Sequence, residues 1–417
     1  MTDELRIEDL APLGDGIAPS GNGRIYVDRT LPGDRVRARV HKAGGILRGD
    51  LIEVLEASRH RVPPPCPHYD ICGGCTLQHA EESFYREWKQ GVVRAALARQ
   101  GVTPAAWRDP VFLPADTRRR ATFAAVRKKD RVTLGYFRRR SHAVADIATC
   151  LIADPAVMGL RAKLVGPLAA LLLDGKPADI FIQRVGGAAE VVITGPVGRK
   201  GVPDLQVHEA AAEMAHGLGI SRIAWRAQDR DSPEVLLEVT PLIARFGVLD
   251  VALPPLAFLQ PTTAGEDAIV AAVLAALPDK GKFADLFAGC GTFTGPMLAR
   301  GSVDAFENLD SAVRALDKAK GAWPLTAARR DLFRAPLDGG RYDAVVFDPP
   351  RVGAEAQARA LAAGGVPKMI GVSCNPVTFA RDARILVEGG YRLESVQVID
   401  QFIWSHHAEL VGLFTRN

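Results

Sequence analysis

The chain has 417 residues, room for two or three domains at about 150 residues each. Hydrophobic residues make up 47% and charged residues 24%, with 52 basic against 48 acidic, which excludes global disorder. No apolar run reaches the roughly 18 residues of a membrane span, and the opening MTDELRIEDL lacks the basic-then-apolar layout of a secretory signal. The expectation is a cytoplasmic protein with no membrane partner. Its six cysteines are then metal ligands, nucleophiles or core residues rather than disulfides.

Residues 1–58 read as a small β-barrel module of OB type, with short strands at 24–27, 34–40 and 50–55 between Gly- and Pro-bearing turns. The prolines of 61–66 act as stiff punctuation. A cysteine-rich loop follows, then a helix over 80–100. Residues 117–250 are mainly β, with strands at 121–127, 132–137, 180–184, 190–194 and 235–239 and helices near 156–174 and 207–217. The character changes near 255. A helix at 264–277 leads into strands at 283–287, 303–307, 344–348, 369–373, 393–400 and 410–415, with helical stretches between them. That alternation predicts an α/β, doubly wound, Rossmann-like sheet. The division is therefore 1–58, 59–255 and 256–417.

Doubly wound sheets bind ligands outside the carboxyl ends of their strands. The first strand runs into Asp285-Leu-Phe287-Ala-Gly289-Cys-Gly291-Thr292, where two glycines allow a tight turn and close backbone approach. This is not the dinucleotide fingerprint, because Thr294 stands where a third glycine belongs. Glu307 ends the next strand, where a carboxylate takes a ribose diol, and Asp331 follows a further strand-like stretch and faces an adenine edge. Together they fit a nucleoside-bearing cofactor without a pyrophosphate, S-adenosylmethionine. The fourth strand ends in Asp348-Pro-Pro-Arg351 and the fifth in Ser373-Cys374-Asn375-Pro376. Cys374 therefore stands in the crevice between polar neighbours, whereas Cys290 reads as packing inside the glycine turn. Glu409, before the last strand, is a candidate base for the same crevice.

Two further features lie outside the crevice. Cys66, Cys72, Cys75 and Cys150 have the spacing C-x5-C-x2-C-x74-C. Four thiolates suit zinc or an iron–sulfur cluster, and spacing does not choose between them. Residues 101–150 hold eleven Lys/Arg against four Asp/Glu, a local net of +7, with Phe123, Tyr136 and Phe137 interleaved. Such a stretch suits an RNA backbone with rings to stack bases, or else it is a solvated face or braces the cysteine loop.

DLFAGCGTF, DPPR, VSCNP and a terminal HAE, in that order, resemble the RNA uracil-5-methyltransferase family. The loop ending CGGCTLQH and a TRAM-like module (GDGIA…LPGD) extend the resemblance over almost the whole chain. It implies Cys374 as nucleophile, Glu409 as base and Asp348 beside them. It implies Gln260, Phe287, Gly289, Gly291, Thr292, Glu307, Asp331 and Asp348 as the S-adenosylmethionine contacts. It also implies a [4Fe-4S] cluster on Cys66, Cys72, Cys75 and Cys150. The cluster together with the TRAM-like module points to 23S rRNA ahead of tRNA as partner, and no obligate protein partner is implied. Thr292 and Asp331 stand where Asn is common, and Ile403 replaces a usual proline. The competing readings are weaker. Arg351 stands where an amino-methyltransferase has an aromatic ring, and Pro350 where a cytosine-5 enzyme keeps a second cysteine. A non-catalytic RNA-binding module needs no cysteine at a strand end.

Overall fold

The computed structural model describes residues 2–21 and 23–416. Among the described residues there are three large β-sheets and a two-stranded one, Ile243–Phe246 with Leu249–Ala252. The first has six strands in the order Thr2–Arg6, Arg35–Ala43, Ile46–Glu56, Gly23–Val27, Gly16–Ser20 and Asp9–Leu10. Alternation along Arg35–Ala43 turns Val36 and Ala38 inward, where they meet Leu5, Ile7, Ala18, Ile25 and Val27 in a small core.

The second sheet has seven strands, from Val144–Asp146 at one edge to Glu234–Glu238 at the other, with Arg120–Lys128 paired to Pro177–Val185 at its centre. Helices Pro155–Leu164 and Leu205–Leu218 pack into its core, each capped by an aspartate, Asp154 and Asp204, that accepts a backbone N–H. The expected single helix over 156–174 is two. The break falls at Gly166-Pro167, where the proline removes a backbone donor, and a short helix resumes at Leu168–Leu171.

The third sheet runs in the order Leu325–Arg329, Gly301–Glu307, Gly281–Leu286, Ala344–Phe347, Lys368–Ser373, Glu409–Thr415, Arg392–Asp400 and Ala106–Trp107. The first five are parallel, and Glu409–Thr415 is antiparallel to both its neighbours. All four residues of Ala344–Phe347 are buried, as expected of a parallel strand covered on both faces. Two short strands from far upstream, Ala106–Trp107 and Val111–Phe112, close the outer edge against Arg392–Asp400. Helix Glu82–Arg99 joins the same layer, its Val93 and Leu97 sharing a core with Leu386 and Leu393. The stretch 82–112, assigned on sequence to the middle region, thus packs on the C-terminal sheet. Among the described residues no helix is long and apolar enough to cross a membrane.

Candidate functional site

The order of the third sheet reverses between Gly281–Leu286 and Ala344–Phe347, neighbours whose connections leave in opposite directions. A cavity of about 560 Å³ opens there, at the carboxyl ends of the strands. Gln260, Phe287, Gly289, Glu307, Asp331, Asp348, Cys374 and Glu409 all line it. Eight of the residues singled out on sequence thus face one space, although they lie up to 149 positions apart.

One half of the cavity is built from the glycine turn. Phe287 adopts a left-handed backbone (φ +61°), a strained state for a bulky residue, and packs on Phe333 with ring centroids 5.5 Å apart. Gly289 is also left-handed (φ +55°), and a Cβ there would meet nothing within 4 Å, so its surface lies open. Gly291 differs. At φ +102° a Cβ would stand 2.6 Å from Leu316, so its constraint comes from the neighbouring helix Asp310–Ala319. Gly291 and Thr292 sit in the turn and not among the lining residues. Glu307 is oriented by three backbone N–H groups, Gly289 at 3.0 Å, Asn308 at 2.7 Å and Leu309 at 2.8 Å. Asp331 accepts from the N–H of Phe333 at 3.1 Å. Beneath the turn lies Asp285, fully buried. Thr294 donates to one of its oxygens at 2.6 Å and the other has no partner. Burial pushes its carboxyl up to about 7.

The other half carries the nucleophile candidate. Asn375 caps helix Pro376–Glu388 by accepting from Val377 N–H at 3.1 Å, and its amide donates to the Arg351 carbonyl at 2.9 Å. Cys374 is thereby fixed between a strand end and a helix start. Burial, followed by the charges of Glu409 and Asp348, pushes its thiol up to about 11, while the Arg351 guanidinium opposes them. Glu409 opens the final strand rather than preceding it, and only 2% of it is exposed. Gln401 joins the two halves. Its Nε2 donates to Gln260 Oε1 at 2.8 Å and to Glu409 Oε2 at 2.8 Å, and Gln260 Nε2 lies 3.4 Å from Asp348. Asp348 and Glu409 are both held above the usual carboxylate range by burial, and Asp348 pushes Glu409 further. No motif or spacing marks Gln401, which sequence reasoning missed.

Cys66, Cys72, Cys75 and Cys150 converge on a second cavity of about 170 Å³, which Arg118 also lines. Arg118 lines the first cavity too. Burial pushes the Cys75 thiol up to about 12 and also raises Cys72, and the other cysteines of the set add to both. Among the described residues no three His, Cys, Asp or Glu side chains are gathered as a single metal ion requires. Arg139 braces this loop, donating to the carbonyls of Cys72 at 3.2 Å and Cys75 at 2.8 Å while paired with Asp28 at 3.3 Å. The basic stretch is divided in its contacts. Arg119 bonds Glu266 at 2.7 Å, Arg140 pairs with Asp50 at 3.3 Å, and Arg118 and Arg120 face the large cavity. Lys128, Lys129, Arg131 and Arg138 remain exposed.

The chain resembles known RNA methyltransferases in sequence and fold. Residues 328–417, which carry Asp348, Cys374 and Glu409, fit the family model described as tRNA (Uracil-5-)-methyltransferase. The chain is 38% identical to an RNA methyltransferase of Rhizobium meliloti, over 99% of each protein. It is 34% identical to a 23S rRNA (uracil(1939)-C(5))-methyltransferase of Halomonas elongata, covering 97% of this chain and 88% of that one. The chain belongs to the RNA uracil-5-methyltransferase family. Among solved structures, the tRNA (uracil-54, C5)-methyltransferase of Pyrococcus abyssi, in complex with S-adenosyl-L-homocysteine, has the same fold. Its TM-score is 0.77 at 20% identity, with 99% of each chain covered. The α/β methyltransferase fold read from the strand–helix alternation is thus that of an RNA uracil-5-methyltransferase.

Proposed function

We propose that this RNA methyltransferase transfers a methyl group from S-adenosylmethionine to C5 of a uridine in 23S rRNA, through a covalent adduct of Cys374 with the base. The observation that carries the reading is the single cavity, in which Cys374 and the buried Glu409 stand beside a half suited to a nucleoside. That half fits the cofactor. Gly289 leaves open space beside it, and Glu307, with three N–H donors on about four acceptor positions, keeps capacity for a hydroxyl. Phe287, Gly289, Glu307 and Asp331 would hold it, with Gln260 and Asp348 at the reacting end. Bound there, S-adenosylmethionine supplies an electrophilic methyl group on a sulfonium.

Uracil C5 is a poor nucleophile. Addition of the Cys374 sulfur to C6 makes an enolate whose C5 carries the electron pair that the new carbon–carbon bond needs. Glu409, as carboxylate, then removes the C5 proton. The electron pair of that C–H bond reforms the C5–C6 double bond and expels Cys374. Gln401 holds Glu409 toward this role. The base must leave any stack to enter the cavity.

Four thiols and no carboxylate around about 170 Å³ form a donor set suited to a [4Fe-4S] cluster. A zinc site would draw the sulfurs to about 2.3 Å from one point. Cys66, Cys72, Cys75 and Cys150 would hold the cluster, which would fix the loop they stand on. The six-stranded N-terminal sheet is read as a TRAM-like RNA-binding module. The name of the Halomonas elongata relative supports 23S rRNA as the substrate.

The deciding experiment incubates the protein with methyl-labelled S-adenosylmethionine and separate 23S rRNA and tRNA pools, followed by nucleoside analysis. Label in 5-methyluridine from rRNA is expected. Label confined to tRNA would overturn the substrate, and full turnover by Cys374→Ala would overturn the mechanism.

A further inference from the structure

The segment 401–408, between strands Arg392–Asp400 and Glu409–Thr415, has no regular secondary structure, yet a distant element fixes it. Lys89, on helix Glu82–Arg99, is completely buried and pairs with the equally buried Asp400 at 3.0 Å. Its ammonium also donates to the carbonyls of Phe402 at 3.2 Å, Ser405 at 2.8 Å and His407 at 2.5 Å. Tyr85, four residues earlier on the same helix face, donates its hydroxyl to the other Asp400 oxygen and accepts from Trp404 N–H at 2.9 Å.

A buried ion pair is a poor source of net stability, because desolvating both charges offsets their attraction. What this pair does is geometric. Three carbonyls spread over six residues converge on one ammonium, and the chain between them must wrap around it. Phe402, near the start of the wrapped segment, and Glu409, just after it, both line the large cavity. A core of leucines would fill the same volume without dictating where those carbonyls point.

We infer that Lys89 is a positioning residue for the methyl-transfer reaction, folding 402–407 around its ammonium so that Glu409 faces the substrate carbon. The inference rests on the reading of Glu409 as the base. It assigns a part in the reaction to a residue 320 positions away on a helix outside the strand–helix alternation. Tyr85 completes the device by holding the second oxygen of Asp400.

The test compares Lys89→Met, Tyr85→Phe and Glu409→Gln in the full-length protein with RNA substrate. Lys89→Met should lower kcat on the order of a hundredfold, the cost of about 1 Å of misplacement. KM for RNA and affinity for S-adenosylhomocysteine should be unchanged. A methylated protein–RNA adduct should accumulate, as in Glu409→Gln, because proton removal is the delayed step. Tyr85→Phe, which deletes one hydroxyl, should show the same adduct with a smaller fall in kcat, and it carries the test if Lys89→Met does not fold. The double variant Lys89→Met/Glu409→Gln should be no slower than Glu409→Gln. Wild-type turnover by Glu409→Gln would overturn the base assignment. Adduct in Glu409→Gln but none in Lys89→Met or Tyr85→Phe, whatever their melting temperatures, would overturn the inference and leave Lys89 a brace only.

Discussion

The side-chain amide of Gln401 donates to the Glu409 carboxylate at 2.8 Å, a hydrogen bond that opposes the burial and charge raising this group. Glu409 accepts a proton only when ionised, so turnover should rise with pH as it loses its own. Gln401→Leu removes the donor and drives the carboxyl still higher. The rising limb of kcat against pH should move to higher pH, each pH unit costing about tenfold in rate below it. A pH–rate profile of the two proteins checks this, and an unmoved limb would assign the limb to another group.

The Cys374 thiol, pushed up to about 11, is protonated at neutral pH in the free protein. Arg351 is the cation that favours its thiolate. Alkylation of Cys374 by iodoacetamide should be slow near pH 7 and steepen toward pH 11. In Arg351→Ala the rise should come later still. Peptide-resolved mass spectrometry across pH separates Cys374 from the other five cysteines. Identical profiles would remove Arg351 from nucleophile tuning.

Asp285 should shape stability without touching substrate. Its folded carboxyl, at about 7, lies above its ordinary 3.8, so the folded state binds more protons between those values. Stability must therefore fall as pH rises from about 4 through 7 and flatten above, with a slope of at most about 1.4 kcal/mol per pH unit. Asp285→Asn keeps the side-chain shape and should remove that slope. Denaturant midpoints at several pH values test it, and a slope that survives belongs elsewhere.

Arg139 ties the cysteine loop to Asp28, in the turn that follows strand Gly23–Val27 of the N-terminal sheet. Arg139→Ala should reduce iron per chain in anaerobically purified protein, and the loss should follow Cys75→Ser in kind. The slope of log RNA affinity against log salt should stay fixed, whereas a lost phosphate contact to single-stranded RNA would lower it by roughly 0.7. A reduced slope with full iron would return Arg139 to the RNA surface.

The catalytic sheet was legible because parallel strands are near-continuous apolar runs and their ends carry the unusual residues. Asp348, Cys374 and Glu307 could be placed from that pattern alone. The sequence puts Glu409 just before the last strand because that strand begins with a charge, an uncommon start that its bond to Gln401 accommodates. Thr292 and Gly291 drew attention through their motif, but the motif's second glycine answers to Leu316. Gln401, Lys89 and Tyr85 were invisible for a common reason. Each works through a contact made across the fold, and sequence spacing encodes only contacts within one element. The individual partners of the arginine triplets were hidden for the same reason, since they lie up to 147 residues away, although the brace on the cysteine loop is one of the readings the sequence offers.

The two short strands Ala106–Trp107 and Val111–Phe112 bear on how the enzyme can be divided. They cover the outer side of Arg392–Asp400, which would otherwise be a bare sheet edge with unpaired backbone groups. A fragment beginning at residue 256 would hold every lining carboxylate and Cys374, but it would expose that edge and shed the helix bearing Lys89. Such a piece would tend to pair edge to edge with its own copies. The catalytic unit is therefore discontinuous in the gene, and a change near codon 110 alters the same sheet as a change near codon 396.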